Sequence, residues 1–238
     1  MKVKVLFFGL LKEIVGKPEE EFILDEGSSI GRLYQFYAVR FPRLAEHSST
    51  LLFSRNREFA SRSELLQEGD EVAFLPPVSG GCADDQDETP GTDYACWLTR
   101  QVISAQTLVE ELKQGTDGAV VVFEGIVRNQ SGGRATLFLE YEAYEPMALL
   151  KMREILAEVK HKFDVDRVGM VHRLGRLEIG EASIVIVITS AHRGPAFEAC
   201  HYAIDHLKRI VPIWKKEFFA DGAVWVESEQ DRCIEVSP

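Results

Sequence analysis

The sequence predicts an α+β protein made of two domains, and three observations carry that reading. The first 81 residues hold short strand-like runs around one amphipathic helical stripe. Residues 94–238 hold β-branched apolar runs and two longer helical stripes. Between them lies a short acidic stretch with no apolar periodicity. At 238 residues the chain suits one large or two small domains, each able to bury an adequate core.

In the first domain, Lys2 to Phe8 alternate as a strand and Glu21 to Leu24 suggest a second. Ser28 or Ser29 can cap a helix whose apolar positions Ile30, Leu33, Tyr34, Tyr37 and Phe41 keep helical spacing. Leu51–Phe53 and Glu71–Leu75 read as two further strands, the latter after a Glu68-Gly69-Asp70 turn. Four short strands and a helix within about 80 residues fit a β-grasp, ubiquitin-like fold.

Residues 82–93 carry five acidic side chains and no basic one, and so supply nearly half of the net charge of −11. Self-repulsion and a lack of apolar residues predict a flexible linker there. The overall acidity argues against nucleic acid as a partner. No apolar run approaches a membrane span, and the N-terminus enters strand-like alternation directly, so a cytoplasmic protein away from membranes is expected. Cys82, Cys96, Cys200 and Cys233 form no CxxC pair and read as reduced thiols rather than a disulfide frame or a zinc site.

The second domain begins near Tyr94. Ala119–Phe123 and Ile184–Ile188 are continuous apolar runs, expected as strands buried on both faces. Pro146 is placed to start a helix with Ala148, Met152, Ile155 and Val159 on one stripe. Pro195 is placed to start another with Phe197, Cys200, Ile204, Leu207 and Val211. Strand-like Ile213–Phe218 and Ala223–Glu227 follow Pro212. The expected architecture is helices on a largely antiparallel sheet.

Three segments concentrate chemistry. Thr189-Ser190-Ala191-His192-Arg193-Gly194-Pro195 joins a buried strand to a helix start, where free N–H groups, the helix dipole and a guanidinium favour an anion. In Phe123-Glu124-Gly125-Ile126-Val127-Arg128-Asn129 a core strand runs through a glycine and presents Arg128 at its end. In the third segment Lys208 sits one position beyond core Leu207, at the edge of the buried stripe, where partial desolvation of its ammonium is expected. The two-residue period beyond it puts Ile213, Lys215 and Glu217 on one strand face and Trp214, Lys216 and Phe218 on the other. Glu217 is therefore placed to orient Lys215. Taken singly, each segment reads equally as ordinary structure: a solvated turn, a strand end, a basic helix end. Cys200 on its apolar stripe reads as core, and His201 and His206 lack the spacing of a helical zinc pair.

Jointly the segments say more. Pro76-Pro77-Val78-Ser79-Gly80-Gly81 resembles the C-terminal tail of a ubiquitin-like sulfur carrier. Behind it, in order, stand G-x-V-R-N, T-S-A-H-R and L-K-x-x-x-P-x-W-K-x-E. Together they resemble molybdopterin synthase: residues 1–81 its sulfur-carrying small subunit, residues 94–238 its catalytic large subunit, with residues 82–93 as the join.

The resemblance implies a sulfurtransferase of molybdenum cofactor biosynthesis that converts cyclic pyranopterin monophosphate to molybdopterin. No permanently bound cofactor is implied, because sulfur arrives as a thiocarboxylate on Gly81, with Gly80 beside it in a narrow channel. Lys208 and Lys215 would be the catalytic lysines. Phe123, Ile126, Val127, Arg128, His192, Arg193, Lys216 and Glu217 would line the substrate site, with Arg128, His192 and Arg193 on the phosphate. Implied partners are an adenylating, sulfur-loading enzyme with its sulfur donor, a processing protease, and a second copy through the catalytic domain. Two departures stand out. Ser228 follows Trp225-Val226-Glu227 where some relatives carry a basic residue, and Gly81 is bonded to Cys82, although loading needs a free carboxylate. An alternative from another class is a non-catalytic ubiquitin-like modifier or interaction module fused to a small-anion-binding domain. It accommodates the blocked Gly81 but leaves the clustered cations unexplained.

Overall fold

A computed structural model describes residues 1–77 and 94–226, which fall in two compact units. Gly80, Gly81, Cys82, the acidic stretch 82–93, Ser228 and Cys233 lie outside the described residues.

The first unit runs β1 (Lys2–Phe7), α1 (Gly9–Val15), β2 (Glu19–Ile23), α2 (Ile30–Arg40), α3 (Pro42–Glu46), β3 (Leu52–Arg55), β4 (Glu58–Phe59) and β5 (Glu71–Leu75). Its strands form one sheet in the order β2-β1-β5-β3-β4. The central pair β1/β5 is parallel, from Lys4 opposite Glu71 to Phe7 opposite Phe74, and the other pairs are antiparallel. α2 buries Ile30, Leu33, Tyr34 and Tyr37 in the core formed with this sheet, which is the β-grasp arrangement. Of the two candidate caps, Ser29 accepts from the Arg32 N–H at 3.3 Å. Phe74 is the hub of the core, edge-on to Phe7 at 5.4 Å, Tyr37 at 5.4 Å and Phe53 at 5.2 Å. Each such pair adds about 0.5–1.5 kcal/mol beyond its buried area. This first unit has three more elements than the sequence reading: β4, α1 and α3. β4 has two residues and α3 five. α1 begins without a side-chain cap, so each left little local signal.

The second unit runs β6 (Tyr94–Thr99), α4 (Ala105–Leu112), β7 (Ala119–Ile126), β8 (Gln130–Ser131), β9 (Arg134–Ala143), α5 (Glu145–Lys162), β10 (Arg167–Arg173), β11 (Gly175–Glu178), β12 (Ala182–Ser190), α6 (Arg193–Ile210), β13 (Ile213–Phe219) and β14 (Gly222–Val226). Two sheets result. One has the order β6-β10-β12-β7, parallel only between β6 and β10. The other has the order β11-β9-β13-β14, with β8 paired to β9, and is wholly antiparallel. Ala148, Met152, Ile155 and Val159 on α5 and Cys200, Ile204 and Leu207 on α6 are buried as their stripes require, whereas Phe197, on the same expected α6 stripe, is 62% exposed. α6 starts at Arg193, two residues before Pro195. The first helical N–H groups have no intrahelical acceptor, so proline is tolerated within that opening turn as well as at its first position.

Expected burial on both faces holds for β12 and fails for β7 within this chain. β7 is the edge strand of its sheet. α4 has only eight residues, and its Leu108 and Leu112 cover Val171, Val185 and Val187 of β10 and β12. Val120, Val122 and Ile126, on the same side of β7, stay exposed.

Candidate functional site

β7 and β12 pair antiparallel from Ile126 opposite Ala182 to Ala119 opposite Ser190. Arg128 follows one end of this ladder. Val127 holds it there, donating its N–H to the Glu181 carbonyl and accepting from the Gly180 N–H. His192 and Arg193 leave the opposite end, beyond Ser190. Seven strand steps between the ends make roughly 23 Å. One copy of the chain therefore does not bring Arg128 together with His192 and Arg193, contrary to the expectation of a single phosphate cluster.

The far junction is itself well built. His192 is the N-cap residue of α6, and its N–H donates to the Ser190 hydroxyl at 3.2 Å. Ser190 in turn donates to the Asp164 carbonyl at 2.9 Å. The Gly118 N–H donates to the Ser190 carbonyl, and a Cβ at Gly118 would come within 2.3 Å of the Ala191 carbonyl oxygen. That close approach needs glycine. His192, Arg193 and Gly194 are exposed.

α6 starts at this junction and packs on β12, β7 and α5. From Arg193 to Lys208 it advances about 22 Å, enough to return to the Arg128 end of the ladder. Lys208 lies in its last turn and is exposed, not desolvated as its place beside Leu207 suggests. A helical step of 100° already carries position 208 off the buried stripe. Val211 and Pro212 then lead directly into β13.

On β13, Lys215 and Glu217 share the face turned toward Tyr141 and Leu139, their partners on β9. Leu139 packs with Leu177 and Val127, which draws the Arg128 strand end onto this face. Lys215 Nζ lies 3.0 Å from Glu217 Oε1, and the Glu217 side chain is only 6% exposed. Burial opposes the charge on Glu217. Hydrogen bonds from the Ser131 hydroxyl and Lys215, with the charges of Lys215 and Arg128, outweigh it and hold the carboxyl below its usual range. Behind them, burial pushes the His172 imidazole down to about 4, and the neutral ring sits edge-on to Tyr141 at 5.1 Å.

The remaining expected residues divide. Lys216 is on the opposite face of β13, over the Trp225 ring at 5.3 Å and the Phe218 ring at 5.7 Å. Phe123 and Ile126 lie on opposite faces of β7, and Val127 is buried. Cys200 is buried, with its thiol pushed up to about 11 by desolvation. Among the described residues no group of three or more His, Cys, Asp or Glu can hold a metal, and no helix is long and apolar enough to cross a membrane. Motif reading missed Ser131. Its signal was the Ser131-Gly132-Gly133-Arg134 run, a tight hairpin turn directly after the Arg128 segment.

One gathered centre thus holds Lys215, Glu217, Ser131 and Arg128, with Lys208 returning toward it on α6. A separate cationic helix start holds His192 and Arg193. A fixed cation beside a buried carboxylate stabilises negative charge at a reacting group, and the helix start suits an anionic substituent.

Comparison with known proteins assigns both units. The model of the MoaE protein family matches residues 98–210, and that of the ThiS family matches residues 5–81. The molybdopterin synthase catalytic subunit of Bacillus subtilis is 43% identical over 129 residues, covering 54% of this chain and 82% of that protein. That of a Nostoc species is 50% identical over 131 residues, covering 54% and 79%. The crystal structure of molybdopterin synthase from Staphylococcus aureus superposes with a TM-score of 0.54 at 40% identity, covering 56% of this chain and 96% of that one. The chain belongs to the molybdopterin synthase family of molybdenum cofactor biosynthesis, with a MoaE catalytic domain preceded in the same polypeptide by a ThiS-family sulfur-carrier domain.

Proposed function

We propose that this chain supplies both halves of the synthase reaction: it converts cyclic pyranopterin monophosphate to molybdopterin with sulfur carried as a thiocarboxylate on its own Gly81. The observation that carries the reading is the buried Glu217, which pins Lys215 beside Arg128 at the end of α6 where Lys208 emerges. A thiocarboxylate and a phosphorylated substrate are both anionic, and only a cationic site makes their approach tolerable. In this reading Lys208 is the principal catalytic lysine and Lys215 the second, held by Glu217. Phe123, Ile126, Val127 and Lys216 line the approach. Gly80 and Gly81, without side chains, thread the entry.

The phosphate site draws on two copies. Arg128 of one chain and His192 with Arg193 of another meet across a homodimer interface, since a single copy places them beyond opposite ends of a ladder roughly 23 Å long. Exposed Val120, Val122 and Ile126 on the β7 edge strand support such an interface. Loading requires a free Gly81 carboxylate, so the full-length chain is a precursor. A protease cuts it between Gly81 and Cys82, after which an adenylating enzyme with its sulfur donor loads the carrier.

The test supplies the cut, sulfur-loaded protein with cyclic pyranopterin monophosphate and follows the dithiolene product. Conversion is expected at two sulfurs per molecule of product. Binding of the precursor without conversion would leave the non-catalytic interaction module as the correct reading.

A further inference from the structure

Arg173 ends β10 and is a cation set inside the fold, only 8% exposed. An interior charge is tolerated only with partners. Its Nη2 donates to the Arg176 carbonyl at 3.3 Å, and its Nη1 lies 2.9 Å from Glu181 Oε2. The backbone there is fixed as well. Arg173 stands opposite Thr99 of β6, and the Leu174 N–H donates to the Thr99 carbonyl at 2.8 Å.

The Glu181 carboxylate closes a turn. Its Oε2 also accepts from the Glu178 N–H at 2.7 Å, while the Glu181 N–H donates to the Glu178 carbonyl at 3.1 Å. Between them Gly180 takes φ +87°, a conformation that glycine adopts freely. This turn carries the chain from β11 to β12 and meets the strand end that bears Arg128. The Glu181 carbonyl accepts from the Val127 N–H at 3.0 Å, and the Gly180 N–H donates to the Val127 carbonyl at 2.9 Å. Arg128 therefore follows a residue held through both of its backbone polar groups. On the other side of Arg128, the Asn129 carbonyl accepts from the Thr136 N–H at 3.0 Å.

We infer that Glu181, anchored by the buried Arg173, is a positioning residue for Arg128: the carboxylate sets the 178–181 turn, the turn sets Val127, and Val127 sets the backbone from which Arg128 projects. The Arg128 side chain is itself exposed, with a long stem that nothing packs tightly. A fixed origin is then what confines the space its guanidinium reaches, and a planar fork gains from being held in register with a phosphate. The inference rests on the phosphate-binding reading of Arg128 given above.

The test measures binding of cyclic pyranopterin monophosphate to the full chain by calorimetry, and amide hydrogen exchange at Val127 by NMR. It compares Glu181→Ala and Glu181→Gln with the unaltered chain, and repeats Glu181→Ala in an Arg128→Ala background. The Glu181 side chain is 26% exposed, so its truncation opens no closed cavity. Glu181→Ala is expected to speed Val127 exchange about tenfold and to weaken binding about fivefold. Glu181→Gln keeps an acceptor for the Glu178 N–H and should recover most of both. In the Arg128→Ala background, Glu181→Ala should weaken binding by no more than about twofold further, because its effect runs through Arg128. Unmoved Val127 exchange overturns the contact. Faster exchange with unchanged binding, or with an equal loss of binding in both backgrounds, overturns the positioning role, since a merely loosened fold weakens binding without Arg128. Normal binding by Arg128→Ala alone removes the underlying phosphate reading instead, and the Val127 exchange distinguishes that failure from loss of the contact.

Discussion

Lys208→Ala, in protein cut after Gly81 and loaded with sulfur, is expected to lose product formation by about a hundredfold or more while keeping its fold. Lys208 is exposed in the last turn of α6, so its removal opens no cavity. The structural cost is confined to a helix-end charge, worth about 0.3–1 kcal/mol. A large loss of rate therefore reports chemistry. Lys215→Ala is the less clean variant. It leaves a carboxylate in the interior short of a partner, at a cost of about 3 kcal/mol, so stability and rate fall together. Circular dichroism and a single-turnover assay separate the two effects. Near-normal conversion by Lys208→Ala would remove it from the reaction.

A second expected result concerns the divided phosphate site. An Arg–phosphate contact in a partly desolvated pocket is worth roughly 1.5–3 kcal/mol, so Arg128→Ala and Arg193→Ala should each weaken precursor binding about tenfold or more. Assayed well below saturation, each variant alone then runs at about a tenth of normal or less. Mixed after subunit exchange, half of the dimers combine the two variants, and each of those holds one intact site and one doubly altered site. Activity of the mixture should rise to about a quarter of normal. A mixture no better than the average of its components would mean that the site is not shared between copies. Unchanged affinity in Arg193→Ala would place the phosphate elsewhere.

The fold was legible where pattern and length agreed. The α2 stripe, the Pro146 helix start and the β5 run appear as their residues imply, because each couples a periodic apolar face to a cap or turn. α4 escaped notice although Ser104 caps it, accepting from the Thr107 N–H at 3.3 Å; at eight residues it is barely two turns long. β7 shows the limit of composition. Ala119-Val120-Val121-Val122-Phe123 reads as buried on both sides, yet which side is covered depends on where α4 ends, a tertiary fact. The site follows the same division. The pairing of Lys215 with Glu217 follows from strand period alone. That Arg128 and Arg193 sit at opposite ends of one ladder follows only from the β7/β12 register, and Ser131 enters only through the hairpin that returns it to β13.

At the centre stands one claim, that sulfur borne on Gly81 of this chain is the sulfur used by its own kind of catalytic domain. Intact-mass measurement of protein purified from its native host tests it most directly. The expected result is a break between Gly81 and Cys82, the two domains recovered together, and a sulfur-for-oxygen mass increase on the N-terminal fragment. An uncut chain that transfers sulfur at the normal rate, with protease activity excluded, would contradict it.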